Sequence, residues 1–577
     1  MKTKELISQT LSKKISKILY VVLTLIVSAA LQVFCILILR TLIDNIFQTP
    51  VAEEPKLAFW IGSFVVSLLL LVGIGLVTKN LVVSISTNVS TSLTNAAYSA
   101  SLRSEINEFE KFDKELIATK IVNDANYIGE VYIGRNWFVF FRNLIYIIGY
   151  FISMMIISPV LGAIAFGALP IFYMLVRSYD KYFGKLDTKA TTSYDARANK
   201  IKDDLVNLRS IKLRNGIVLE EEEMAKINEE YIATKKTHSL LKDVKDHKLF
   251  DLLVGLLLAL LLGIGGYQST RFAPIPGTIT AVVLMTPIVY RLFSQLMYNT
   301  IMPSFIENEL ESLEEIISVR SELKAEPISS LDEIHSFKFQ NVTYTVNSLS
   351  INDVNFELKR GEKLGVLSIE DNNDRVMFDL LTKLVRPKEG IISINNCDFN
   401  KINTIYLRSL ITAIPDERNL FRDTIANNII YPLEFDEYKY NDALNKSGLK
   451  DFLVNLEDKD KTILDPSMPI NEELKQRIIF ANAFYKDSKI FILNETNSKL
   501  EPRKEEQLTQ EIFELKNKIT IILTDKNYSV LKCDKVLILG KDEVLEYGRV
   551  DELLEDKTSV LSSLIKKVKT TKSAKVS

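Results

Sequence analysis

Gly361-Glu-Lys-Leu-Gly-Val-Leu-Ser368 runs into Ile369-Glu-Asp-Asn-Asn-Asp-Arg-Val376, and after a helical stretch to about Val385 comes Pro387-Lys-Glu-Gly-Ile-Ile-Ser-Ile394. A short apolar run, a polar turn, a helix and a second strand-like run are the strand-helix alternation of an α/β domain. The pattern extends outward from there. Phe337 to Tyr344 alternates like a strand, and Asp353 to Leu358 follows. Lys489 to Leu493 and Ile519 to Leu523 are further short apolar runs. Upstream, a linker rich in Glu and Ser covers Glu307 to about Ser330.

What precedes the linker is different in kind. Over 577 residues the chain is 47% hydrophobic and 25% charged, an ordinary average that hides a segregation. The first half holds six apolar runs near the roughly 20 residues a membrane span needs. They lie at about 18–42, 57–77, 138–157, 161–176, 249–267 and 277–297. Lys2, Lys4, Lys13, Lys14 and Lys17 precede the first. They predict a retained span with a cytoplasmic N-terminus, both termini then lying inside. The links after spans two and four are long, polar and helical in pattern, so each forms a pair of helices on the cytoplasmic side. The domains read as 1–320 transmembrane, 321–335 linker, 336–565 α/β, and 566–577 a basic tail. A net charge of -2 gives no reason to expect nucleic acid as a partner, and no basic stripe points that way. Cys35, Cys397 and Cys533 are too scattered for a metal signature or a disulfide framework.

This topology resembles the six-helix half-transporter of ABC exporters. Leu102-Arg-Ser-Glu-Ile-Asn-Glu-Phe-Glu-Lys-Phe112 is similar to that family's first cytoplasmic loop, and Leu205 to Gly216 to its second. In the α/β half, Leu420 to Ile429 resembles the stretch after the glutamine loop. Lys475 to Ala483 resembles the helix after the signature, and Ile490 to Ser498 the Walker B strand. Val536 to Leu554 resembles the C-terminal hairpin and helix. The implied fold class is an α-helical six-span domain of ABC-exporter type followed by an α/β P-loop-NTPase-like domain, in the plasma membrane, of bacterial type.

The resemblance fails where the family does its chemistry. A phosphate loop reads G-x-x-x-x-G-K-[ST], with glycines for close backbone approach, a lysine for phosphate charge and a hydroxyl for magnesium. Here the loop is Ser368 to Val376, with no glycine between Gly365 and Gly390. Asp374 stands at the lysine, Arg375 at the hydroxyl, Asn373 at the last glycine, and Asp371 adds charge. The adenine-stacking aromatic corresponds to Val346 and the loop glutamine to Asp416. The LSGGQ signature corresponds to Ile470-Asn-Glu-Glu-Leu474, with Asn471 at its serine. The Walker B aspartate corresponds to Asn494 and the switch histidine to Asp525. Glu495 alone keeps its place, that of the vestigial general base. Without ligand, the loop reads as a polar turn in which Asn372, Asn373 or Asp374 caps a helix, and Glu495 as a surface carboxylate.

No cofactor, no metal and no catalytic residue are therefore expected on this chain, with ATP and magnesium left to a partner subunit. The expected function is that of a pseudo-ATPase half-subunit of an exporter. Its partner would be a second half-transporter, as a heterodimer or, alternatively, a homodimer, in the lipid bilayer with an unidentified exported substrate. Two alternatives are an exporter-derived sensor, immunity or scaffold protein, and an ATP-dependent exporter of peptides, lipids or drugs. In the sixth span Arg291, Gln295, Tyr298 and Met302 share a helical face and form a candidate substrate stripe. The other reading has Arg291 snorkelling to the headgroups, as expected of Arg142 in the third span.

Overall fold

The computed structural model describes residues 3–48, 54–244, 248–271, 276–301, 304–323, 328, 330–331, 333–346, 349–369, 373–416, 419–454, 456–465, 471–495, 502–541 and 543–573. The chain divides into two compact units, Met1–Ser99 with Glu115–Ser318, and Ala100–Lys114 with Val319–Ser577.

Six helices of the first unit are long and apolar enough to cross a membrane. They are longer than the apolar runs, because polar helical stems continue them. The second span belongs to a single helix, Glu54–Leu102. The third is reached from Lys114–Asn126 through a π-helical segment, Tyr127–Trp137, into Phe138–Ile157. Ser158 then turns extended, as the residue before Pro159 must when the ring disfavours helix, and a new helix starts at Pro159. The fourth span's stem, Leu169–Val206, packs along Ile217–Asp243. Lys200 ties the two together by reaching Glu223 at 2.7 Å and Glu220, and it also meets Asp204 of its own helix at 3.2 Å.

The sixth-span helix, Pro276–Ile301, runs as helix through Pro287 and packs on the first span, Ile15–Gln48, and on the third. Val282, Met285, Met154 and Leu161 are fully buried there. The Tyr290 hydroxyl donates to the Ala165 carbonyl at 2.8 Å. The π-helical segment lies so close to the second-span helix that a Cβ on Gly129 would meet the Ser86 carbonyl at 2.7 Å. Glycine is required there by the approach of two backbones.

The second unit is built on two sheets. β1 (Ser336–Val346), β2 (Leu349–Lys359), β4 (Glu389–Ile394) and β5 (Cys397–Asp398) form an antiparallel sheet in the order β2-β1-β4-β5. The other sheet takes β3 (Lys363–Ser368), β6 (Ile411–Ile414), β7 (Ile490–Asn494), β8 (Ile519–Thr524), β9 (Lys535–Leu539) and β10 (Val544–Arg549). Its order is β10-β9-β3-β8-β7-β6, parallel except for the β10-β9 hairpin. Every residue of β7 and β8 is buried, which is why those stretches read as continuous apolar runs. The helix Asn373–Leu381 contacts β2, β3, β7 and β8.

Ala100–Lys114 joins this unit through backbone bonds, Glu105 N to Arg320 O at 3.0 Å and Glu322 N to Arg103 O at 2.8 Å. Ile106 packs on the sheet core. Arg408 grips Glu322 with two bonds of 2.8 Å, so the start of the linker is fastened to the domain.

Candidate functional site

β3 ends at Ser368 and the next helix runs Asn373–Leu381, the strand and helix that flank the loop singled out in the sequence. Glu370, Asp371 and Asn372 lie outside the described residues. Because the helix begins at Asn373, neither Asn373 nor Asp374 caps it. Their side chains are drawn inward instead. The Asn373 amide donates to the carbonyls of Gly540 at 2.7 Å and Lys541 at 3.3 Å.

Asp374 is 8% exposed and Asn494, at the end of β7, is 1% exposed. The Asn494 amide donates to the Asp374 carboxylate at 3.2 Å. β7 and β3 both flank β8, so their C-terminal ends converge on the helix start. The two positions where the family resemblance expects a lysine and a metal-orienting aspartate thus hold a carboxylate and an amide bonded to each other.

Arg375 points the other way. It is exposed, and its guanidinium meets the Glu110 carboxylate at 2.6 Å. One helical turn on, Asp379 has its carboxyl pushed up to about 7 by burial; Arg375 opposes the shift, and Glu110 and Asp416 reinforce it. Asp416, at the loop-glutamine position, is half-buried. The Asn107 amide donates to the Tyr344 hydroxyl at 2.6 Å, and burial raises that phenol. Sequence reasoning passed over Asp379 and Glu110. The one available signal was a carboxylate four residues after Arg375, on the same helix face.

Glu495 is 1% exposed, not a surface carboxylate. Its backbone N–H donates to Leu523 O at 2.9 Å, and its carbonyl accepts from Lys526 Nζ at 3.2 Å. Asp525 is exposed in the bend after β8. Asn471 caps the helix Glu472–Lys486, accepting from Glu473 N at 2.8 Å and Leu474 N at 3.4 Å. Glu473 pairs with Arg477 at 2.9 Å. Ile470 and the side chain of Val346 lie outside the described residues. Among the described residues there is no group of three His, Cys, Asp or Glu able to hold a metal.

In the membrane unit, Arg291 is exposed and Gln295 is not free to face a cavity. The Gln295 side-chain oxygen accepts from Asn143 at 3.0 Å and from Arg142 at 3.4 Å. Asn143, fully buried, also donates to the Leu292 carbonyl at 3.3 Å. Arg142 therefore does not snorkel; it turns into the bundle and bonds Asn143 at 3.1 Å. Two further bonds continue this polar row along the third span. Ser28 meets Tyr146 at 2.8 Å, and Tyr150 donates to Gln32 at 2.9 Å. The Tyr298 side chain and Met302 lie outside the described residues.

Comparison with known proteins agrees with this architecture. Residues 18–289 match the family described as ABC transporter transmembrane region. A putative export ATP-binding/permease protein of Rickettsia bellii is 24% identical over 501 residues, 84% of this chain and 85% of that protein. An ATP-dependent lipid A-core flippase of Wigglesworthia glossinidia brevipalpis is 22% identical over 550 residues, 93% of each chain. The structure of a bacterial Atm1-family ABC exporter with ATP bound superposes with a TM-score of 0.75 at 16% identity, covering 96% of this chain and 99% of that one. The fold is that of an ABC exporter half, six spans followed by the α/β domain. The chain is a multi-pass membrane protein, and its bacterial relatives place it in the plasma membrane.

Proposed function

With the exporter fold as the premise, we propose that this chain is a non-catalytic half-subunit of an ABC-type exporter, one whose own nucleotide site takes no nucleotide. The observation that carries this reading is the Asp374–Asn494 bond. A carboxylate about 4 Å from a phosphate charge is repelled by roughly 4 kcal/mol at an effective dielectric near 20. The attraction of the missing lysine is lost as well. The residues present do not fit ATP with magnesium. A carboxylate holds the place of the phosphate-neutralising cation, and an amide holds that of the metal-orienting anion. Arg375 does not compensate, because its guanidinium is engaged with Glu110.

The same substitutions act on a partner. In a head-to-tail dimer each site joins one subunit's loop to the other's signature, and Glu472 and Glu473 stand where this chain would offer glycine. A second half-transporter with intact residues retains its own phosphate loop, so a heterodimer is the assembly in which nucleotide still has a place. The spans of two such halves would enclose the substrate path. The exposed Arg291 suits an anionic or peptide-like substrate there.

Nucleotide binding to the purified chain, alone and with any co-purifying subunit, tests the proposal. No saturable binding to the chain alone and binding to the pair is the expected result. Saturable micromolar binding to the chain alone overturns it. Arg291→Glu in a transport assay of the assembled pair tests the cavity assignment, which unchanged transport would eliminate.

A further inference from the structure

Ala100–Lys114 is held to the α/β domain by a bridge between Ser104 and Ser321, by Arg320 on Glu105 at 3.1 Å, by Asn107 on Tyr344, and by Arg375 on Glu110. Only the last of these uses a residue of the former nucleotide loop. Arg375 is also the only one of these groups with a second carboxylate one turn away on its own helix. We propose that Arg375–Glu110 is a proton-controlled latch, in which Asp379 competes with Glu110 for the guanidinium and so sets how firmly Ala100–Lys114 is held.

The groups around Asp379 decide the direction. Its own helix offers Arg375; the segment Ala100–Lys114 offers Glu110. Asp416 faces it from beyond β6, and Tyr344 from β1, with Glu105 next to that phenol. Glu108 and Lys111 of the segment are paired with each other at 2.7 Å. Arg375 is thus the cation that acts on Asp379 and pairs with Glu110, with Asp416 a further carboxylate acting on Asp379. Below neutrality Asp379 carries a proton and Glu110 has Arg375 to itself. As pH rises past about 7, Asp379 ionises, draws on Arg375 and, with Asp416, repels Glu110. The segment continues directly into the second-span helix and into Lys114–Asn126, so loosening it at Glu110 loosens the chain where it enters Lys114–Asn126 while the other ties hold.

Hydrogen exchange on the full-length protein in lipid nanodiscs tests this, with rates corrected for intrinsic pH dependence and β8 amides as the folded reference. Protection of residues 104–112 is expected to fall about ten-fold between about pH 6 and about pH 8. Asp379→Asn should hold the high value at both, and Glu110→Gln the low value at both. An unchanged wild-type profile, or a full pH response in Asp379→Asn, overturns the latch. The inference rests on a nucleotide-free loop. Adding Mg-ATP separates the two ideas: new protection over 368–377 overturns the non-catalytic reading, while the nucleotide-free pH series judges the latch.

Discussion

Asn494→Asp restores the residue that the exporter resemblance expects at the end of β7, and here it should harm the protein. The present bond spans 3.2 Å between groups that are 8% and 1% exposed. Two full charges at that separation repel by about 5 kcal/mol at an effective dielectric of about 20. The pair will instead keep one proton, so the cost near neutral pH is that of holding it, about 3 kcal/mol. The penalty should shrink on acidification, because a shared proton restores the hydrogen bond. Unfolding of a two-unit membrane protein is not two-state, so the readout is the opening free energy of β3 and β7 amides by hydrogen exchange. The control is the double exchange Asp374→Asn with Asn494→Asp, which swaps carboxylate and amide and should recover most of the loss. If Asn494→Asp alone is neutral at about pH 8, or if the double exchange recovers nothing, the bond is not what fills this site.

Asp379→Asn should stabilise the α/β unit at alkaline pH. The folded protein keeps this proton up to about 7, whereas a free carboxyl releases it near 3.8. The stability associated with the proton is full below the lower value and is lost as pH rises to the upper, so the variant gains up to about 4 kcal/mol above pH 7 and nothing in acid, read from amide opening across pH. Asn143→Leu should lower the thermal midpoint in detergent, since Gln295 and the Leu292 carbonyl lose a buried donor worth about 1–3 kcal/mol; an unchanged midpoint would remove the polar row from the account. Gly390→Ala should cost about 1–3 kcal/mol, because φ there is +82° and a Cβ would overlap the Asn341 backbone. Exchange of β1 and β4 amides at wild-type rates would contradict it.

Much of this protein is legible from the chain alone because the signals are local. Apolar runs of span length need no partner to be recognised, and the buried parallel strands announce themselves as continuous apolar stretches. The absence of glycine, lysine and hydroxyl from the loop after β3 is a matter of residue identity at fixed spacing. Side-chain direction is not local. Arg375 and Glu110 are 265 positions apart, Asp374 and Asn494 are 120 apart, and Asn143 and Gln295 are 152 apart. Each pair meets only because strands order as β3-β8-β7, because Ala100–Lys114 packs with the distant domain, or because the third and sixth spans lie side by side. Periodicity placed Gln295 on the same face as Arg291, but it could not tell that Asn143 would claim it. Motif spacing put Glu495 in the family's catalytic position, but only the folded domain shows that the residue, just past the end of β7, is buried. Which groups were lost is written in the order of residues. What the remaining ones now hold depends on contacts between segments far apart in the chain, and only the folded packing brings those together.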